Sequence, residues 1–219
     1  MLLHMKKGEQ MQYDNSEMPL PSNNLVTLSG TVTEANPTND ENNTNDFLIS
    51  VNRLSGQQDK IPVVLAPDLK GTTIKVGQNI TVKGIFTSFN KIVGDRSKLI
   101  LLVQATEIID EPSDRENPNS IEIVGYICKA PIYRTTPFNR EIADLLLAVN
   151  RSFNKSDYIP AIAWGKNARF AKNLLVGEKV QILGRIQSRE YQKRFEDGSA
   201  ETRIAYEVSI NAIMRTDAQ

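Results

Sequence analysis

Nine aromatic side chains fall between Tyr133 and Tyr206: Tyr133, Phe138, Phe153, Tyr158, Trp164, Phe170, Tyr191, Phe195 and Tyr206. Interleaved with them are Arg134, Arg140, Arg151, Lys155, Lys166, Arg169, Lys172, Arg185, Arg189, Lys193 and Arg194. Rings at base-scale intervals among cations suit one ligand chemistry in particular. A single nucleic-acid strand offers flat unpaired bases, each stacking contact being worth ~1–3 kcal/mol, and a phosphate backbone that cations neutralise. Not every ring serves that chemistry. Phe170 in a helical stretch and Tyr206 in the last strand are expected to pack inward.

Catalytic chemistry has no comparable support. The single histidine, His4, lies near the N-terminus, and the single cysteine, Cys128, falls in an expected strand without partners at metal-ligand spacing. No phosphate-binding glycine loop and no nucleophile elbow occurs. Asp144 and Asp157 read as strand-flanking carboxylates, not as an acid–base pair. The expectation is a binding protein with no catalytic residues, no cofactor and no metal. Lacking ~18 consecutive apolar residues, the chain is not expected to cross a membrane. A secretory signal is not expected either, and one free thiol fits a cytoplasmic, nucleoid-associated protein.

Charge supports the same half of the molecule. The 219 residues carry 26 basic and 26 acidic side chains, a formal net charge of zero. Residues 119–219 hold 15 Lys and Arg against 11 Asp and Glu, an excess of +4, which leaves −4 on the remainder. Asymmetry between halves is the informative quantity for a polyanion partner.

What must position these residues is a repeated unit. Val51-Asn52-Arg53 recurs as Val149-Asn150-Arg151, and Ile61-Pro62 as Ile159-Pro160, both at an offset of 98. Val76-Gly77-Gln78 through Gly84 recurs as Val176-Gly177-Glu178 through Gly184, offset by 100, and Leu25–Gly30 resembles Ile121–Gly125. Ordered matches at nearly constant offset indicate a duplication. Within each copy, 46–53 and 144–151, then 61–65 and 159–164, read as buried strands. The runs 80–84 and 180–184 alternate and end at glycine, which suggests a bulge in a curved sheet. Stretches 99–109 and 202–214 supply last strands. Asn167 to Leu175 has helical character, with Ala168, Ala171 and Leu175 on one face.

Five strands with a helix between the third and fourth describe an OB-fold. The expected fold is therefore all-β with a small helix per domain, as two tandem OB-fold five-stranded barrels. Residues 1–22 are expected to be disordered, 23–110 a first OB domain, 111–119 a linker and 120–216 a second OB domain. Asn36–Asn45 reads as a mobile hairpin loop.

Three blocks then carry a specific likeness. Glu141–Arg151 (EIADLLLAVNR), Tyr158–Lys166 (YIPAIAWGK) and Val176–Tyr191 (VGEKVQILGRIQSREY) resemble the bacterial single-stranded DNA-binding protein family, as do Gly125 and Tyr133–Arg140 (YRTTPFNR). The resemblance implies base-stacking rings at Phe153, Tyr158, Trp164 and Tyr191. The even spacing of Tyr158 and Trp164 independently places both on one face of an unbroken strand. Arg134, Arg140, Arg151, Lys155, Lys166, Arg185, Arg189, Lys193 and Arg194 are the candidate backbone contacts. Arg189, Lys193 and Arg194 lead into the turn Glu196–Ser199 of a hairpin that could track the strand.

The first copy departs from this pattern. It has Lys60 and Ala66 in place of Tyr158 and Trp164, Ser55 in place of Phe153 and Lys91 in place of Tyr191. It reads as a degenerate OB domain with a structural role, although Phe86 and Phe89 leave room for weak strand contact. The resemblance implies single-stranded DNA as partner, in replication, recombination or repair, and a homo-oligomer in which a dimer would gather four OB domains. Family members that act as hubs carry an acidic tail. The terminus Met214–Gln219 has none, so recruitment through such a tail is not expected. The competing expectation is an OB-fold protein-interaction module of a replication-restart or mobile-element system.

Overall fold

The computed structural model describes residues 23–36, 46–69, 71–93, 96–110, 117–152, 155–195 and 198–216. Phe153 and the expected disordered segment, mobile loop and most of the linker lie outside them. The first copy consists of β1 (Asn24–Asn36), β2 (Asp46–Asn52), β3 (Gln58–Leu65), β4 (Asn79–Val93) and β5 (Arg96–Ile109). In the second are β6 (Asn119–Ile127), β7 (Ile132–Thr135), β8 (Glu141–Arg151), β9 (Lys155–Trp164), helix α1 (Lys166–Ala171), β10 (Lys179–Arg194) and β11 (Ala200–Arg215).

Each copy closes into a barrel. In the first, the circuit runs β1–β2–β3–β5–β4 and back to β1, with β3 and β5 parallel and the other pairs antiparallel. The second repeats it as β6–β8–β9–β11–β10, with β9 and β11 parallel. These are the two expected five-stranded OB barrels. The short β7, which the sequence did not suggest, lies against the outer half of β8.

Alternation drives closure. Along β9, Asp157, Ile159, Ala161 and Ala163 turn inward and are buried, while Tyr158 and Trp164 point out. Ala143, Leu145, Leu147 and Val149 do the same along β8. Burying a side chain such as Ile159 or Leu147 contributes ~1.5–3 kcal/mol. The expected bulges fall at Lys83/Gly84 and Leu183/Gly184. There a Cβ would come within 2.0 Å of the Gln104 carbonyl oxygen, or 2.4 Å of that of Ser209. Only glycine lets the bent strands approach so closely.

Three features differ from the sequence reading. Among the described residues the helix is present only in the second copy, and the first has a three-residue 3-10 turn, Pro67–Leu69, in its place. Gly71, two positions beyond that turn, has φ +105°. In the second copy Leu174, not Leu175, seats the segment after α1: Leu174 is buried and Leu175 exposed. Phe86 is fully buried in the core of the first barrel, so it offers no ring to a ligand.

The barrels are joined through their first strands. β1 and β6 pair antiparallel from Asn24↔Ile123 to Leu28↔Asn119, which merges both into one eleven-stranded sheet. Reciprocal contacts flank this seam. Asp157, on β9, accepts the Ser88 N–H at 2.5 Å and the Thr87 hydroxyl at 2.8 Å, both on β4. Asp59, on β3, accepts the Ser188 N–H of β10 at 2.7 Å. Ser88 Oγ in turn accepts the Tyr158 N–H, as Ser188 Oγ accepts that of Lys60. Each copy thus lays its β4-type or β10-type strand on the other's third strand. The duplication reproduces inside one chain the self-complementary contact of a two-fold dimer.

Candidate nucleic-acid interface

The outer face of β6, β8 and β9 carries the rings. Tyr158 is 42% exposed and Trp164 38%, six residues apart on one strand, or about 20 Å at ~3.3 Å per residue. Ala148 of β8 pairs with both Tyr158 and Tyr126. Tyr126, also exposed, therefore stands in a row with Tyr158. The sequence reading missed it, although the signal was there: Ile121, Ile123, Gly125 and Ile127 point inward, so 126 must point out. Trp164 ends its strand at Gly165, whose φ of +52° turns the chain into α1, and Lys166 follows on the surface.

The long hairpin of β10 and β11 holds Tyr191. Its ring is exposed, pairs with Arg203 across the strands and lies 5.9 Å from the Arg189 guanidinium. Nearer the tip, Lys193 and Arg203 sit over the Phe195 ring at 5.5 and 5.8 Å. Cations stacked on rings keep a positive edge along this arm. Arg194 is exposed as well.

The basic residues fall into two groups. Arg140, Lys155, Lys166 and Arg194 are exposed and have no ion-pair partner among the described residues. Arg134 pairs with Asp144 at 3.0 Å and Arg189 with Glu207 at 3.8 Å, both partly exposed contacts that a phosphate could displace. Arg151 and Arg185 are differently employed. Arg151 meets the buried Asp157 at 3.1 Å and Thr87 Oγ1 at 3.2 Å. Arg185 shares the buried Asp59 with Arg53. Burial, and then the neighbouring Arg53, hold the Arg185 guanidinium below its ordinary pKa, while the hydrogen bond to Asp59 raises that of Arg53. Both arginines lock the copies together.

A second polar cluster braces the ring face from below. Glu141, at the start of β8, accepts the Tyr133 hydroxyl of β7 and the Arg169 guanidinium of α1. The Tyr133 hydroxyl, and with it Arg169, holds the Glu141 carboxyl below its usual range against the opposing effect of burial. Lys172 lies 5.1 Å from the Tyr133 ring. β7, β8 and α1 are thereby tied together at the strand pair that presents Ile142 opposite Trp164.

Fold and site define a tandem OB-fold protein whose second barrel bears an aromatic and cationic outer face. Residues 118–215 match the model of the single-strand binding protein family. A single-stranded DNA-binding protein of Clostridium tetani is 34% identical over 83 residues, 35% of this chain and 57% of the relative. Single-stranded DNA-binding protein 2 of Listeria innocua is 37% identical over 81 residues, 34% of this chain and 51% of the relative. The chain spans a little over half the length of these curated relatives. The fold likeness reaches further. The Thermus aquaticus single-stranded DNA binding protein covers 90% of this chain, and this chain covers 94% of it, at a TM-score of 0.65 and 21% identity. A deletion variant of that protein gives 0.66 at 22%.

Proposed function

We propose that this chain binds single-stranded DNA with little sequence preference, in replication, recombination or repair. The observation that carries this reading is the placement of Tyr158 and Trp164, both exposed, on one outward face of β9. Bases stack on Trp164, Tyr158, Phe153 and Tyr191. Phosphates are neutralised by Arg140, Lys155, Lys166, Lys193 and Arg194, with Arg134 and Arg189 exchanging their partners Asp144 and Glu207 for phosphate. A face built from rings reads no base edge, which accounts for sequence tolerance.

The chain acts as a binder without cofactor or catalysis, in the cytoplasm at the nucleoid. Two chains form the working assembly, bringing four barrels together, and light scattering tests that stoichiometry.

Fluorescence polarisation of a labelled oligo-dT against the same strand in duplex form tests the function. Tight binding to the single strand, weakening with salt at a slope of ~0.7 per phosphate contacted, supports it. Equal affinity for single strand and duplex contradicts it.

A further inference from the structure

The two ends of the seam between the copies are not equivalent. At one end the buried Asp157 holds one arginine among the described residues, Arg151. At the other the buried Asp59 holds two, Arg53 at 2.5 Å and Arg185 at 3.1 Å. A single position makes the difference. Arg185 follows the bulge at Gly184, whereas the residue after the matching Gly84 is Ile85, which is buried. One carboxylate therefore faces two guanidinium groups, and positive charge is in excess at this end.

That excess borders a cavity of about 310 Å³ lined by Arg53, Asp59 and Arg185, with the amides of Asn52, Asn117 and Asn211 in its wall. Among the described residues it has no carboxylate besides Asp59. Asp59 is fully committed. Its Oδ1 accepts Arg53 and the Ser188 N–H, and its Oδ2 accepts Arg53 and Arg185. Arg185 is not. A guanidinium carries five N–H donors, and Arg185 gives one to Asp59 and one to Gln187, each at 3.1 Å. Burial and the like charge of Arg53 outweigh Asp59 and hold the Arg185 guanidinium below its ordinary pKa. A partly buried cation in that position lacks compensating negative charge.

We propose that this cavity binds a small free oxyanion of the phosphate class, held by Arg185 and Arg53 and surrounded by the asparagine amides. An arginine fork matches the oxygens of a phosphate. The ligand is a free ion and not the DNA strand, because no aromatic side chain among the described residues lines the cavity to carry a base. The volume lies at the lower end for small-molecule sites and suits one such group. Arg53 belongs to the first copy and Arg185 to the second, so the bound anion ties the copies together where their charges are unbalanced. The site stands whether or not the ring face of the second barrel binds DNA.

The probe is inorganic phosphate alone, set against chloride at matched ionic strength and pH, with the full chain. Equilibrium dialysis should show saturable binding of one phosphate per chain. The thermal unfolding midpoint should rise along the same saturation curve, since a ligand of the folded state stabilises it. Arg185→Gln should weaken phosphate binding at least about tenfold, through loss of a charged hydrogen-bond donor. That variant is expected to fold, because Asp59 keeps Arg53 just as Asp157 has Arg151. Dialysis of the unsubstituted chain decides the matter even where the variant fails to fold. Oligo-dT affinity and Trp164 emission should be the same in phosphate as in chloride. Absence of saturable binding, or equal binding by Arg185→Gln, overturns the site. Displacement of oligo-dT by phosphate overturns the free-ion assignment and gives the cavity to the strand.

Discussion

Asp157, with no exposed surface, accepts the backbone N–H of Ser88 at 2.5 Å across the seam between the two copies. Its counterpart in the other direction is Asp59 with Ser188, at 2.7 Å. These carboxylates also hold Arg151 and Arg53. Asp157→Ala would leave the Ser88 N–H, the Thr87 hydroxyl and the Arg151 guanidinium without their acceptor. The expected loss is about 3 kcal/mol, at the low end for a broken buried pair because Arg151 is itself partly exposed. Urea unfolding checks it. Combining Asp157→Ala with Arg151→Ala should cost less than the two single losses added. A fully stable Asp157→Ala chain would contradict the latch.

Gly184→Ala probes the bulge that bends β10. A Cβ there would lie 2.4 Å from the Ser209 carbonyl oxygen, and that contact is backbone, which cannot rotate away. Strand β10 or β11 must shift, at a cost of about 1–3 kcal/mol. The thermal unfolding midpoint is the readout, and an unshifted midpoint would mean that the close approach is not needed for closure.

Glu141 gives a dependence on acid. Its carboxyl lies below the ordinary value of 4.5 in the folded chain, through the Tyr133 hydroxyl and Arg169. A depressed folded pKa stabilises the fold fully above the unfolded value and loses that contribution as pH falls through the folded one. Melting temperature followed from about pH 6 to 3 should therefore drop more steeply for the unsubstituted chain than for Glu141→Gln. The variant should already be the less stable of the two near neutrality. Parallel curves would show that the cluster does not contribute.

Much of this organisation is legible in the sequence, for a physical reason. Barrel closure depends on local alternation and on glycines where strands bend, and both are written in consecutive residues. That is why the duplicated strands, the bulges at Gly84 and Gly184 and the common face of Tyr158 and Trp164 could be read directly. The latches could not. Asp157 looks like an ordinary strand-flanking carboxylate, because its partners Thr87 and Ser88 lie about seventy positions away and only the docked copies bring them together. One signal existed: an aspartate recurs at Asp59 and Asp157 with the same offset as the Val-Asn-Arg segment. Arg151 and Arg185 read as phosphate ligands for the same reason, since a sequence shows a cation but not the buried acid that holds it. Leu175 reads as inward-facing only by helical periodicity, which no longer applies there because α1 ends at Ala171.

Tyr158 and Trp164 should act independently. About 20 Å of strand separates them, beyond the ~7–10 Å over which substitutions couple. Tyr158→Ala and Trp164→Ala should each weaken oligo-dT binding by about 1–3 kcal/mol, and the double variant by close to their sum. Isothermal titration measures all three. A double variant no weaker than one single would place only one ring on the DNA.

Trp164 is the only tryptophan in the chain, so its emission reports on one position. Titration of the full chain with poly-dT at low salt, followed by tryptophan fluorescence, tests the stacking face directly. Emission should be quenched to a saturating level and recover as salt is added. Unchanged emission, together with no shift in electrophoretic mobility, would contradict binding of single-stranded DNA at this face.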